Sequence, residues 1–171
     1  PWMRSWIHPH LYGAVAGKEP FEAAFDAQLR IEEASLLKQK LVVASVDYQK
    51  YFDSFPILWT RNFLVAIGIP EFLADMHADL YGNLQRSIKL GEAMGVPFQP
   101  TIGIGQGDSL SLIPAICFVS WQFAYLDKVL PNLQKAACVD DRVITGSYED
   151  VIAALRLMDK FDKACGQTLR H

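Results

Sequence analysis

Apolar positions along this chain keep two rhythms, one helical and one extended, and glycines and prolines mark the changes between them. Across residues 19–40, Phe21, Phe25 and Leu29 recur at four-residue steps. That spacing predicts a helix, with Pro20 suited to its first turn. Residues 41–46 (LVVASV) form a β-branched, nearly all-apolar run and predict a buried strand. Two further helices are predicted over 56–67 and 70–81, closed by Gly68 and Gly82. Residues 84–90 and 96–102 read as strands, with Gly91 and Gly95 marking the turn between them. Residues 108–129 predict a long apolar helix. Residues 133–139 and 142–145 predict a hairpin around Asp140 and Asp141, and residues 148–164 a last helix closed by Gly166. Residues 1–19 carry Pro1, Pro9, Gly13 and Gly17 and read as irregular. Long connections between strands, together with one hairpin, predict an α+β fold: an antiparallel sheet with helices packed on one face.

Composition narrows the class. The chain has 171 residues, 51% hydrophobic and 20% charged, which suits one domain with a substantial core and excludes global disorder. Its 16 Lys and Arg against 19 Asp and Glu give a net charge of −3, so it is not basic throughout as many nucleic-acid binders are. Cys117, Cys138 and Cys165 are odd in number and lack a C-x-x-C pair. They read as reduced, mostly buried thiols of an intracellular, reducing compartment rather than a disulfide scaffold or zinc ribbon. The chain opens on Pro1 without a basic-then-apolar signal and reads as a fragment or processed product. Residues 109–126 carry no charge and match the length of a bilayer span. Ser109, Ser111, Pro114, Ser120 and Gln122 within it, and Asp108 and Asp127 at its ends, favour a buried core helix, and no membrane insertion is expected.

Three carboxylates stand out by position. Asp47 directly follows the apolar strand, and Asp140 and Asp141 sit side by side in the hairpin. A charge after a buried strand is costly unless paired or metal-bound, and acids gathered by one sheet repel one another. A hard divalent cation relieves that repulsion, and Mg²⁺ commonly takes one or two carboxylates plus substrate phosphates. The run Gly103-Ile104-Gly105-Gln106-Gly107-Asp108-Ser109 lets the backbone approach a ligand and then enters a helix, with Asp108 as its N-cap. It is neither a Walker loop nor a dinucleotide fingerprint. His8 and His10 form an H-x-H pair without a nearby Cys or acid in the sequence, so a metal site there is not expected. Trp2, Trp6, Trp59 and Trp121 read as packing residues before stacking platforms for bases. Cys138 beside two acids should have a raised pKa and no nucleophilic role.

Taken in order, these segments resemble reverse transcriptases. Residues 46–55 (VDYQKYFDSF) are similar to the family's D-x-x-K-A-F-D segment, residues 103–111 (GIGQGDSLS) to G-[IV]-x-Q-G-D-P-L-S, and residues 138–141 (CVDD) to the [YF]-x-D-D box. Between them Ile67-Gly68-Ile69-Pro70, Asp79-Leu80-Tyr81 and Pro97-Phe98 match the non-LTR retrotransposon and group II intron type; the resemblance covers residues 11–171. It implies a polymerase palm over residues 41–171, truncated at its C-terminal end, preceded over residues 1–40 by a partial fingers segment and leading helix, with the thumb absent. It implies template-directed addition of deoxynucleotides to a primer on an RNA or DNA template. Asp47 and Asp140 are the implied ligands of two Mg²⁺ ions, which Mn²⁺ can replace, and Asp141 an outer partner. Phe52 is the implied sugar gate, Gln106 and Gly107 the implied template–primer loop, and Lys50 a weaker match.

The departures are specific. Cys138 stands where the family has Tyr or Phe, Leu112 where it has Pro, and Gly105 where many relatives have Arg. The resemblance further implies basic fingers segments before residue 1 and a lysine and thumb after residue 171. Two other classes therefore stay open. One is a degenerate palm remnant serving as a structural or interaction module, with a protein partner over its exposed surface and without catalysis by this isolated fragment. The other is an RNA-templated RNA polymerase, against which Phe52 and Gln106-Gly107 speak.

Overall fold

A strand that is apolar along its whole length can still bury only one face when it lies at the edge of a sheet, and the first strand of this chain does so. The computed structural model describes residues 2–167; Pro1 and residues 168–171, the end of the stretch carrying the resemblance, lie outside it. The element order is α1 (Pro20–Leu36), β1 (Val42–Val46), α2 (Ile57–Ala66), α3 (Glu71–Gly82), β2 (Lys89–Leu90), β3 (Ala93–Met94), α4 (Ser109–Val129), β4 (Gln134–Cys138), β5 (Asp141–Gly146) and α5 (Tyr148–Ala164). The chain divides into two compact units. One comprises Pro1–Gln49 with Ala115–His171, the other Lys50–Pro114.

The first unit holds a three-stranded antiparallel sheet in the order β1-β5-β4. β5 pairs on one side with β1, Val42 opposite Gly146 and Val46 opposite Arg142. On the other side it pairs with β4, Gln134 opposite Thr145 and Cys138 opposite Asp141. As an edge strand β1 alternates, and Val43 is exposed although the run is apolar, which corrects the expectation of a fully buried strand. Helices cover both sheet faces rather than one. Ala23, Asp26, Ala27 and Arg30 of α1 line a small cavity with Gln134, Ala136, Val143 and Thr145, which point to one face. Arg142 and Ile144 point to the other and are fully buried, with α5 against β1 and β5 on that side.

α1 starts where expected. Glu19 and Glu22 form a capping box around Pro20. Its apolar stripe is not core, however. Phe21 and Phe25 stack at 5.9 Å yet are 72% and 50% exposed, because the helix meets the sheet through Ala23 and Ala27. The second half of α4 is the centre of this unit. Ala115, Ile116, Cys117, Phe118, Val119, Phe123 and Leu126 are all buried. α5 is capped by the Ser147 hydroxyl, which accepts from the Asp150 amide, and Val151, Ala154 and Met158 fill its inner face.

In the second unit α2 and α3 pack together, with Phe63, Leu64, Ala74 and Tyr81 buried. Arg61 of α2 reaches Glu71 at 2.6 Å and Asp75 at 2.7 Å on α3. The predicted strands 84–90 and 96–102 shrink to the β2–β3 hairpin and one isolated bridge between Arg86 and Phe98.

Candidate active site

The three aspartates owe their placement to the β1–β5–β4 register. The ladder ends with Val46 opposite Arg142, so Asp47, the next residue after β1, comes beside Asp141, whose carboxyl its charge pushes up. Val46 and Arg142 point inward, and period-two alternation sends Asp47 and Asp141 to the other face, where both are exposed. Asp140 sits beside them in the short turn between β4 and β5, after Val139. Burial pushes the Asp141 carboxyl up, and the charges of Asp140 and then Asp47 push it further in the same direction. The acids are therefore close enough to feel one another. The Tyr48 amide donates to Asp47 Oδ1 at 2.8 Å and orients that carboxylate. Among the described residues no three His, Cys, Asp or Glu side chains converge into a metal-holding group. A set of two or three carboxylates is chemically a hard-oxygen donor set that leaves most of a Mg²⁺ shell to water and phosphate.

The turn carrying Asp140 is braced from outside. Val139 has φ of +59°, a conformation that a β-branched residue adopts only under strain. The backbone of residues 10–12 runs along β4. The Tyr12 amide donates to the Ala137 carbonyl at 2.8 Å, and the Ala137 amide donates to the His10 carbonyl at 3.0 Å. Gly13 then passes so close that a Cβ there would lie 2.7 Å from the Val139 nitrogen and 2.8 Å from its Cγ2. Cys138 opposes Asp141, and burial, then Asp141 and Asp140, hold its thiol up, as its neighbours in sequence imply.

Directly under the acids lies a polar layer that sequence reading did not anticipate. Arg142 is 0% exposed. It donates to Gln122 Oε1 at 2.7 Å and to the Tyr48 hydroxyl. Its guanidinium carbon sits 3.9 Å from the Tyr48 ring centre and 5.2 Å from that of Phe118. The Tyr48 hydroxyl donates to Asp162 Oδ2 at 2.8 Å, and Gln122 Nε2 donates to Asp162 Oδ1 at 2.6 Å. Burial pushes the Tyr48 hydroxyl far up, against the pull of Arg142, and pushes the Asp162 carboxyl up to about 6. The sequence signal was Gln122, a polar residue inside the uncharged stretch 109–126.

A second polar set, with His8 and Lys135 buried and Asp127 exposed, pins the N-terminal segment. His8 Nε2 lies 2.7 Å from Asp127 Oδ2, and Lys135 donates to the same carboxylate. Burial pushes Asp127 up, but the bonds from Lys135 and His8 outweigh it and hold the carboxyl low. The acid near His8 thus comes from 119 residues away.

In the second unit Phe52 and the glycine-rich loop are brought together. The Ile104 amide donates to the Phe52 carbonyl at 2.9 Å, and the Gly103 amide to the Phe55 carbonyl at 2.8 Å. Gly103 has φ of +100°, and a Cβ there would lie 2.9 Å from the Asp53 carbonyl oxygen. Phe52 packs edge-on against Tyr51, with ring centres 5.4 Å apart. Gln106 and Gly107 are exposed at the loop tip, and Lys50 is exposed on the preceding turn. Asp108 caps α4 as expected, its Oδ1 accepting from the Leu110 amide at 3.1 Å. Tyr81 donates to the other oxygen. The Tyr81 bond, then the Leu110 amide, hold the Asp108 carboxyl low.

A three-stranded antiparallel sheet with a carboxylate-bearing hairpin and helices on both faces is an α+β arrangement. Solved telomerases share it. The telomerase of Candida tropicalis in complex with a TWJ fragment of telomeric RNA superposes with a TM-score of 0.68 at 15% identity, covering 96% of this chain and 29% of that one. The apo Candida tropicalis enzyme truncated from its C-terminal domain gives 0.68 at 15% identity, over 95% of this chain and 35% of that one. The Candida albicans telomerase with the TWJ fragment gives 0.70 at 12% identity, over 94% and 31%. At such identity the likeness is one of fold alone. The chain spans about a third of these telomerases or less. No protein-family model and no curated protein sequence matches it.

Proposed function

We propose that the chain is the palm, with part of the fingers, of a reverse transcriptase-like polymerase of the non-LTR retrotransposon or group II intron type. Its reaction is template-directed addition of deoxynucleotides to a primer 3′-end. The observation that carries this reading is the β1–β5 ladder, which ends at Val46 opposite Arg142 and so brings Asp47 to Asp141, with Asp140 in the adjacent turn, from two separate sequence boxes. Asp47 and Asp140 are the metal-binding carboxylates, and Asp141 is the outer member. When bound, Mg²⁺ lowers the pKa of the attacking hydroxyl and neutralises charge on the departing pyrophosphate. The chain's own work is positioning. Asp47 is oriented by the Tyr48 amide, and Asp140 is aimed by the braced Val139 turn. Phe52, anchored by its carbonyl to Ile104, is the sugar gate, and Gln106 and Gly107 lie against the template–primer. Partners on this reading are an RNA or DNA template, a primer and dNTPs. The RNA in the complexes of the two Candida telomerases supports a nucleic-acid partner.

The test is primer extension by the chain joined to fingers and thumb segments of a reverse transcriptase. Asp140→Asn is expected to abolish extension, and full activity in that variant refutes the metal-site assignment. A second reading is a palm remnant acting as an interaction module, favoured by Cys138 and Leu112 where the family has an aromatic residue and a proline. That reading is the conclusion if the wild-type chain so joined extends no primer.

A further inference from the structure

Adjacent residues on a strand point to opposite faces. Asp141 and Arg142 are such neighbours, and Asp47 and Tyr48, just past the end of β1, keep the same alternation, Asp47 exposed and Tyr48 buried. The strand ends that present the acids outward therefore send a tyrosine and an arginine inward, into one buried layer with Gln122 and Asp162. We propose that Tyr48, Gln122, Arg142 and Asp162 are positioning residues that lock the ends of β1 and β5 so that Asp47 stays beside Asp141. The inference rests on the reading of Asp47 and Asp140 as the metal-binding pair.

Energetics favour this role over a purely stabilising one. A charged pair taken into a core is no better for stability than apolar side chains of the same volume, and is commonly worse. Direction is what the layer adds. Apolar contacts tolerate a shifted strand end, whereas the Arg142–Gln122 bond at 2.7 Å, the Tyr48–Asp162 bond at 2.8 Å and the Gln122–Asp162 bond at 2.6 Å do not. The four residues come from the segment just after β1, from α4, from β5 and from α5, so one network ties four segments beneath the acids. A one-residue slip would turn Tyr48 and Arg142 out and the acids in, leaving buried charges without partners.

The experiment uses the 171-residue chain with two variants. Tyr48→Phe deletes only the bridging hydroxyl. Arg142→Met with Asp162→Leu removes both charges together. Each is followed by thermal melting, amide hydrogen exchange and Mn²⁺ binding read by electron paramagnetic resonance. The expected result is a melting temperature close to wild type for the double variant. Exchange should be about ten-fold faster at Val46, Asp141 and Arg142, with wild-type rates at Val42 and Gly146. Mn²⁺ affinity should fall by about 10- to 100-fold. A double variant that fails to fold leaves Tyr48→Phe to decide by the same exchange pattern. Wild-type exchange at the carboxylate end overturns the inference. So does unchanged Mn²⁺ affinity in a chain whose Asp47→Asn variant has lost the ion. A wild-type chain that binds no Mn²⁺ refutes the metal reading instead, and the exchange pattern then decides the positioning role by itself.

Discussion

Gly13 contributes no side chain to the candidate site, yet it is where a single methyl group should do most damage. The Cβ of an alanine would meet the Val139 nitrogen at 2.7 Å, a backbone atom that cannot swing aside. Gly13→Ala is expected to cost about 1–3 kcal/mol, the usual range for overpacking. The melting temperature should fall, with faster amide exchange confined to residues 137–141. Phe52 makes a different kind of residue-scale claim. If its ring limits the sugar, Phe52→Val should raise ribonucleotide incorporation by the extended polymerase, and an unchanged dNTP/NTP preference would sink that role. Its carbonyl bond to Ile104 survives the substitution, so the loop should keep its place.

Among the elements, α5 carries the clearest pH signature. Asp162 lies on its buried face, where burial raises the carboxyl to about 6 against Arg142, Tyr48 and Gln122. An acid that holds its proton more tightly folded than unfolded stabilises the fold below its unfolded pKa of about 4. That contribution is lost as pH rises towards about 6. Asp162→Asn keeps the shape of the neutral acid. In chemical denaturation its advantage over wild type should therefore grow by about 2–3 kcal/mol between pH 4 and pH 7. The helix itself was legible, since Gly166 closes it. Its buried acid was not, because the partners stand 40 and 114 residues away. The same distance limit hid Asp127 from His8. The edge position of β1 also escaped, because an apolar run does not say how many neighbours a strand has. The acids were legible for the opposite reason: Asp47 and Asp140 each follow an apolar run directly, and Asp141 stands next to Asp140.

At the scale of the whole molecule, the division at Pro114 falls inside α4, the most apolar helix. An 18-residue window of this helix has a mean hydropathy of 1.5 and 61% of it is buried, so its apolar surface is already committed to the fold. In a vesicle flotation experiment the chain is expected to stay in the aqueous fraction. Recovery with the vesicles after an alkaline wash would show that α4 leaves the core. The net charge of −3 bears on nucleic acid in the same way. With few phosphates neutralised, binding of a template–primer by this chain should be weak in 0.15 M salt and change little with further salt, in a fluorescence anisotropy titration.

The strained turn has a consequence for selection. Valine at φ of +59° is an expensive choice where glycine or asparagine sits at ease. A library screened for heat resistance should therefore enrich glycine or asparagine at position 139. A library screened for primer extension should keep valine, whose Cγ2 fills the space where a Cβ on Gly13 would come within 2.8 Å of it. Where two such populations diverge, position 139 should be among the first to separate them.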